Sequence, residues 1–327
     1  MGQYRWGILA PGTIAKKFAD GLAVVPDAIP YAVGSRDIGR AEDFAKKYGY
    51  QKTYGSYREL AEDPMVDIIY VATPHTFHEE AATLCLNNGK AVICEKPFAV
   101  NLRQAERMVE CARKNNVFLM EAMWTRFLPT LCKTRELIAK GAIGNVRLVY
   151  SDFGFRSNVN PEQRLFAPAL AGGSLLDVGI YNLSMCSMIF GKQPSHVKSQ
   201  MTIGSTGVDE ECSLMLRYGE GQSALLFSAI RLNTKHETVI IGEEGRIELP
   251  AYWHGTKVIV QTKEGVEEID LPFEATGYQF EAMEVMRCLD EGLKESPVMP
   301  LDETLELIKL MDQIRKDNKL SYPCDES

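Results

Sequence analysis

Residues 4–15 read Tyr4-Arg5-Trp6-Gly7-Ile8-Leu9-Ala10-Pro11-Gly12-Thr13-Ile14-Ala15. The run from Tyr4 to Ala10 is strand-like and Pro11-Gly12 marks a tight turn. Ile14, Phe18 and Leu22, with Ala15 and Ala19 beside them, then recur at helical spacing. A strand that turns sharply into a helix aims unpaired backbone N–H groups and the positive end of the helix dipole at whatever sits above the turn, which favours an anion. Ala10, Gly12 and Ala15 occupy the three small-residue positions of a dinucleotide phosphate-binding turn. The missing side chain at Gly12 lets a pyrophosphate approach the backbone, with Thr13 and Ile14 opening the helix beside it. One glycine of three is a weak signal alone, and its place directly after the first strand strengthens it.

A second strand, Ile29 to Ser35, leads to Arg36-Asp37 and a polar helix capped by Asp37 and ended by Gly49. The end of this strand faces the adenosine ribose in a dinucleotide fold, where an acidic residue binds the 2′-hydroxyl of NAD. Here Ser35 precedes Arg36, a planar donor fork suited to a 2′-phosphate, and Arg40 lies four residues on along the same helical face. The expected cofactor is NADP. NAD is the alternative, with Asp37 on the ribose and both arginines as solvated surface cations.

The alternation of strand and helix continues. Ser56 and Glu59 have capping-box spacing, Val66 to Ala72 and Ala91 to Cys94 are apolar strands, Asn101 and Gln104 open another helix, and Val117 to Glu121 is strand-like. This order predicts an α/β fold, a doubly wound parallel sheet over residues 1–122. After a helix-like stretch at Leu131 to Lys140 the rhythm changes. Strand-rich runs at Val146 to Phe155, Val197 to Ile203, Cys212 to Tyr218, Ser223 to Arg231 and Thr238 to Glu248 follow without intervening helices. Their glycine-rich turns include Gly242-Glu243-Glu244-Gly245. Residues 123–327 are therefore expected to form an α+β domain with a large mixed, mainly antiparallel sheet, with a final helix near 301–316 packing back on the body.

Composition narrows the function. A 327-residue chain with 45% hydrophobic and 24% charged residues has the make-up of a globular protein of about two domains. A net charge of −8 without a basic run argues against nucleic acid or an anionic membrane as partner. No apolar stretch reads as a bilayer span, and the first residues lack the pattern of a secretory signal, so the expected location is cytoplasmic. Eight scattered cysteines read as reduced thiols, and no spacing suggests a metal site.

The chemistry-bearing motif is Glu95-Lys96-Pro97 at the C-terminal mouth of a buried strand, where open α/β sheets bind ligands. With Thr73-Pro74-His75 and His78 upstream and Ala171-Gly172-Gly173-Ser174-Leu175-Leu176-Asp177-Val178-Gly179-Ile180-Tyr181 downstream, it resembles the glucose-fructose oxidoreductase (Gfo/Idh/MocA) family over most of the chain. The phrase Glu121-Ala122-Met123-Trp124-Thr125-Arg126-Phe127 and the tyrosine at 181 resemble its dihydrodiol and NADP-dependent xylose dehydrogenase branch. That resemblance implies Lys96 and Tyr181 as the catalytic pair, with Asp177 orienting them. It also implies Thr73, Pro74, His75, His78, Glu95, Lys96, Pro97, Trp124 and Arg126 around the cofactor, and a homodimer formed through the C-terminal sheet.

Elementary chemistry agrees. Hydride leaves a carbinol carbon more readily if the hydroxyl loses its proton, but a free tyrosine, with a pKa of about 10, is a poor base near neutrality. A nearby ammonium favours the phenolate and can also hold the substrate oxygen. Taken singly, Lys96 could serve only to pair with Glu95, and Tyr181 could be a core residue with a satisfied hydroxyl. Phe153, Phe155 and Trp253 are further candidates for an aromatic substrate wall, with core packing as their alternative. The expected substrate is a cyclic diol or an aldopyranose such as D-xylose. The other class kept open is a non-enzymatic NADP-binding regulator of the same fold.

Overall fold

A computed structural model describes residues 2–325. By internal packing the chain divides into two compact units, residues 1–124 with 274–308, and residues 125–273 with 309–327. The rhythm of the sequence marks a single boundary near Ala122, whereas the chain returns to its first unit after the second sheet. The reason is visible in backbone and side-chain bonding: Leu119 N–H donates to the Lys294 carbonyl at 3.0 Å, and Thr304 Oγ1 donates to buried Glu121 at 2.9 Å.

The first unit runs β1 (Tyr4–Leu9), α1 (Thr13–Leu22), β2 (Ala28–Gly34), α2 (Ile38–Tyr48), β3 (Lys52–Tyr54), α3 (Tyr57–Glu62), β4 (Ile68–Val71), α4 (His78–Asn87), β5 (Ala91–Glu95), α5 (Leu102–Asn115) and β6 (Leu119–Ala122). Its six strands are parallel, in the order β3-β2-β1-β4-β5-β6. Every residue of β4, β5 and β6 is buried, as a parallel sheet covered on both faces requires. Winding reverses between β1 and β4, the switch point at which such sheets bind ligands. Register brings the functional strand ends into line: Leu9 pairs with Gly34 and with Val71, Val71 with Cys94, and Glu95 with Ala122. Ala10, Ser35, Ala72 and Lys96 therefore leave the sheet along one edge. The three-residue β3 is too short to show a pattern in the sequence.

The second unit contains α6 (Pro129–Ala139), β7 (Val146–Gly154), α7 (Ile180–Phe190), β8 (His196–Ile203), β9 (Asp209–Arg217), β10 (Ser223–Ala229), β11 (Thr238–Gly242), β12 (Gly245–Leu249), β13 (Lys257–Thr262) and β14 (Gly265–Asp270). The sheet order is β14-β13-β12-β11-β7-β10-β9-β8, with β7 and β10 parallel and the other pairs antiparallel. The run Thr238 to Glu248 splits at Gly242–Gly245 into a hairpin. The strands also do not all follow one another directly, because a helical stretch stands between β7 and β8. It begins as a π turn, Leu175–Gly179, and continues as α7.

That stretch is apolar on every side, so it lacks the amphipathic period by which surface helices are read. Pro168–Phe190 even reaches bilayer-span length and hydropathy, contrary to the expectation of none, but residues 171–187 are all buried inside the fold. It is the core helix of this unit. Cys212, Leu214 and Leu216 of β9 and Ala224 and Leu226 of β10 are buried, whereas Met215 and Leu225 between them are exposed, so the sheet has one covered and one open face. Two helices close the chain, α8 (Gln279–Asp290) in the first unit and α9 (Leu301–Asp317), within which the division falls after Ile308.

Candidate active site

The phosphate turn is built as its sequence requires. Ala10 lies in the left-handed region at φ 69°, a conformation that usually calls for glycine, and its carbonyl accepts the Gly12 N–H at 2.8 Å. No side chain caps the first N–H groups of α1, and a Cβ on Gly12 would meet only the Ala10 carbonyl oxygen, at 4.0 Å. Open backbone donors with unobstructed space before them fit a pyrophosphate. At the next strand end, Ser35 is buried and its hydroxyl accepts the Asp37 N–H at 3.2 Å. Asp37 is committed to the start of α2, accepting from Gly39 and Arg40 N–H at 3.0 and 3.4 Å. Arg36 lies exposed 5.8 Å over the Phe77 ring, and the Arg40 side chain is 78% exposed.

At the end of β4, Thr73 and His75 are buried beside the half-buried Pro74. His78 is fully buried, with Nδ1 3.0 Å from the Pro97 carbonyl and Nε2 2.9 Å from the Thr73 carbonyl. The ring thereby ties the Thr73 turn to the Glu95-Lys96-Pro97 loop. Among the described residues, no group of three His, Cys, Asp or Glu side chains is arranged to hold a metal ion, and no two cysteines are joined.

The Glu95-Lys96-Pro97 loop is pinned from both sides. Buried Glu95 accepts the Tyr70 hydroxyl through Oε1 and the Lys96 N–H, at 3.2 Å, through Oε2. Just beyond, Phe98 N–H donates to Glu121 at 3.2 Å and Val100 N–H to Gln104 at 3.2 Å. Behind Glu95 stands Glu281 of α8, fully buried, with neither carboxylate oxygen hydrogen-bonded. Burial first, and the negative charge of Glu95 second, hold its carboxyl well above the usual carboxylate range. Tyr278, one residue before α8, stacks on the Trp124 ring at 4.5 Å. Neither Tyr70, Glu281 nor Tyr278 was legible as part of a site, because nothing local marks a helix or strand residue as the neighbour of a distant glutamate.

In the second unit, Arg126 donates to the Ser184 hydroxyl at 2.9 Å and to the Ser184 carbonyl at 2.8 Å, so its guanidinium grips α7. Trp124 and Arg126, two residues apart in the motif, thus fall in different units. Asp177, in the π turn, accepts from Arg164 at 2.7 Å, an ion pair with no signal in the sequence. Tyr181 follows four residues later, 6% exposed, its ring 5.3 Å from Phe153. Phe153 stacks in turn on Trp253 at 5.4 Å, and Trp253 Nε1 donates to His236 at 3.1 Å. Phe155 is half-buried at the end of the same strand.

A phosphate-binding turn on a doubly wound sheet, a lysine at the end of another strand of that sheet, and a second unit carrying a buried aspartate and tyrosine define a dinucleotide-dependent oxidoreductase. Residues 4–123 match the model of the GFO/IDH/MocA oxidoreductase family with its NAD-binding Rossmann fold, and residues 132–248 match the GFO/IDH/MocA C-terminal domain. The chain is 38% identical over 331 residues to a trans-1,2-dihydrobenzene-1,2-diol dehydrogenase of Xenopus tropicalis, covering 98% of this chain and 99% of that one. It is 39% identical over 333 residues to the Mus musculus enzyme of the same name, at 98% and 99% coverage. The chain therefore belongs to the GFO/IDH/MocA family and is an NAD(P)-binding oxidoreductase.

Solved structures share the fold. An aldose-aldose oxidoreductase from Caulobacter crescentus, complexed with glycerol, gives a TM-score of 0.89 at 24% identity over 97% of this chain and 98% of that one. Levoglucosan dehydrogenase in complex with NADH and L-sorbose gives 0.89 at 19% over 98% and 97%. A 3-ketoreductase from Actinomadura kijaniata with NADP and TDP-benzene gives 0.85 at 22% over 96% and 98%.

The raised carboxyl of Glu281 has a measurable consequence. Its folded form keeps a proton that the unfolded chain releases in the ordinary carboxylate range, so its contribution to stability is full below that range and declines as pH rises. Glu281→Gln fixes the neutral shape and removes the decline. In thermal unfolding from pH 5 to pH 8, the Gln variant is expected to gain on the parent by up to about 1.4 kcal/mol per pH unit. Parallel curves for the two proteins would contradict a protonated Glu281.

Proposed function

We propose that this enzyme transfers hydride between NADP and a secondary hydroxyl of a cyclic diol or aldopyranose, with Lys96 and Tyr181 as its acid–base pair. The observation that carries the reading is the Glu95-Lys96-Pro97 loop held rigidly at the end of β5, in a chain that also presents Tyr181 next to an aromatic wall. The dinucleotide supplies the hydride acceptor at its nicotinamide ring. Tyr181 takes the hydroxyl proton as the carbonyl forms and returns it in the reverse direction. The Lys96 ammonium favours the phenolate and holds the substrate oxygen. Asp177, fixed by Arg164, orients the turn that leads to Tyr181. Phe153 and Trp253 offer flat apolar faces to a ring-shaped substrate. The relatives named for a trans-dihydrodiol of benzene support the diol, and the sugar-converting structures of the same fold leave the pyranose beside it.

The test is NADP reduction with D-xylose, D-glucose and trans-dihydrodiols. At least one substrate is expected to turn over, with Lys96→Met and Tyr181→Phe each lowering kcat by roughly 10²- to 10⁴-fold. Turnover of both variants at near the parental rate would overturn the pair.

Support for NADP over NAD comes from Asp37, whose carboxylate caps α2, and from the exposed guanidinia of Arg36 and Arg40 nearby. Loss of a charge-assisted contact to a 2′-phosphate is worth about 1.5–3 kcal/mol, so Arg36→Ala is expected to weaken NADPH binding roughly ten- to hundredfold and leave NADH binding unchanged. Fluorescence titration showing NADH the tighter ligand, unaffected by Arg36→Ala, would reverse the assignment.

The open face of the large sheet supports a homodimer as the working form. Register sets Val239, Tyr150, Leu225, Met215 and Lys198 side by side across five strands. Tyr150, Leu225 and Met215 are each 39–46% exposed, an apolar row that a second copy would cover. Light scattering is expected to give a dimer for the parent and a smaller species for Leu225→Glu. A monomeric parent at tens of micromolar would refute the assembly.

A further inference from the structure

We propose that Asp209 is a positioning residue for Tyr181: its carboxylate fixes the first turn of the helix on which Asp177 and Tyr181 stand. This inference rests on the role given to Tyr181 above. Asp209 begins β9 and is completely buried. Its Oδ2 accepts the Leu175 N–H at 2.7 Å and the Ser174 hydroxyl at 2.7 Å, and the Ser174 Oγ lies 3.3 Å from the hydroxyl of Ser228 on β10. The helix begins at Ser174, whose φ of −77° and ψ of −38° are already helical, and the residue at its cap, Gly173, has no side chain with which to cap it. The cap is supplied instead from another strand, by an anion at the positive end of the helix dipole.

The preceding residues are shaped around that carboxylate. Gly173 has φ 119°, and a Cβ on it would overlap Asp209 Oδ1. A Cβ on Gly172 would come within 2.5 Å of the Arg164 and Leu165 carbonyls, and the Gly172 carbonyl accepts the Tyr322 hydroxyl at 2.5 Å. Gly173 thus lets the chain close on Asp209 and Gly172 lets it pass the Arg164–Leu165 backbone, a separate physical reason for glycine at each position.

Oδ1 of Asp209 has no hydrogen-bond partner. Burial pushes the carboxyl up to about 6 despite the bonds it accepts, so at neutral pH the charge is kept in place at a cost to stability. A group that costs stability and still fixes the start of this helix is explained by where it puts Asp177 and Tyr181.

The experiment compares Asp209→Ala and Asp209→Asn with the parent, using the substrate found in the NADP-reduction screen. Asp209→Ala is expected to lower kcat about tenfold or more, as a small displacement of an acid–base group does, with KM for NADP within about twofold of the parent. Asp209→Asn keeps an acceptor oxygen and is expected to recover most of that loss. Hydrogen exchange is expected to be faster over residues 175–181 in Asp209→Ala. A folded Asp209→Ala with kcat within about twofold of the parent, or with unchanged exchange over 175–181, overturns the proposal. Should Asp209→Ala not fold, Ser174→Ala removes one of the two contacts and is read the same way, unchanged kcat and exchange again counting against it. If the parent turns over no substrate, the proposed function fails by itself, and exchange still decides whether Asp209 holds the helix start.

Discussion

The constraint on which much of this molecule depends is the placing of an ionisable side chain, Glu95, at the end of a strand with no solvent around it. A carboxylate taken out of water is expensive unless hydrogen bonds replace its hydration. Here the Tyr70 hydroxyl and the Lys96 N–H do so, and both are fixed by the parallel sheet itself, because Tyr70 lies on the neighbouring strand and Lys96 is the next residue. The bonds that keep Glu95 satisfied also set the path of the loop bearing Lys96 and Pro97. Glu121 and His78 grip the same loop from either side. The first unit thus holds Lys96 on a backbone with little freedom.

The second unit solves a similar problem differently. Asp177 and Tyr181 lie on an apolar helix under a mixed sheet, and several polar groups along that helix are tied to its surroundings. Asn182 accepts from Ser151 and Tyr252, Ser184 receives Arg126, and the helix start is held by Asp209. Buried polar groups tied in this way fix a helix rotationally as well as axially, which apolar packing alone does less sharply. Rotation matters because it decides which way the face carrying Asp177 and Tyr181, four residues apart across the π-to-α junction, is turned.

Much of the fold was legible because its signals are local. The turn at Ala10–Gly12, the cap at Asp37 and the alternation of apolar strands with periodic helices are properties of neighbouring residues, and these gave the doubly wound sheet. The Glu95-Lys96-Pro97 motif was also legible, since a charged pair at the end of an apolar strand stands out locally, whereas Asp177 and Tyr181 were singled out only through the resemblance of their motif to a family. The helix 175–190 did not read as one, because a helix buried all round carries no periodic contrast, and β13 and β14 lie in a stretch whose alternation is weak.

The sequence by itself determined the identity of most elements in the first sheet and the phosphate turn, which follow from backbone preference and spacing, while the proposed proton-transfer residues came from the resemblance of their motifs to a family. Only the tertiary structure decided that residues 274–308 return to the first unit, that burial near Glu95 raises the Glu281 carboxyl, that Arg164 pairs with Asp177 and that Asp209 caps a helix from a distant strand. Each of these joins residues far apart along the chain, and their energies come from burial and electrostatics, which depend on what surrounds a side chain in space. No short stretch of sequence records that.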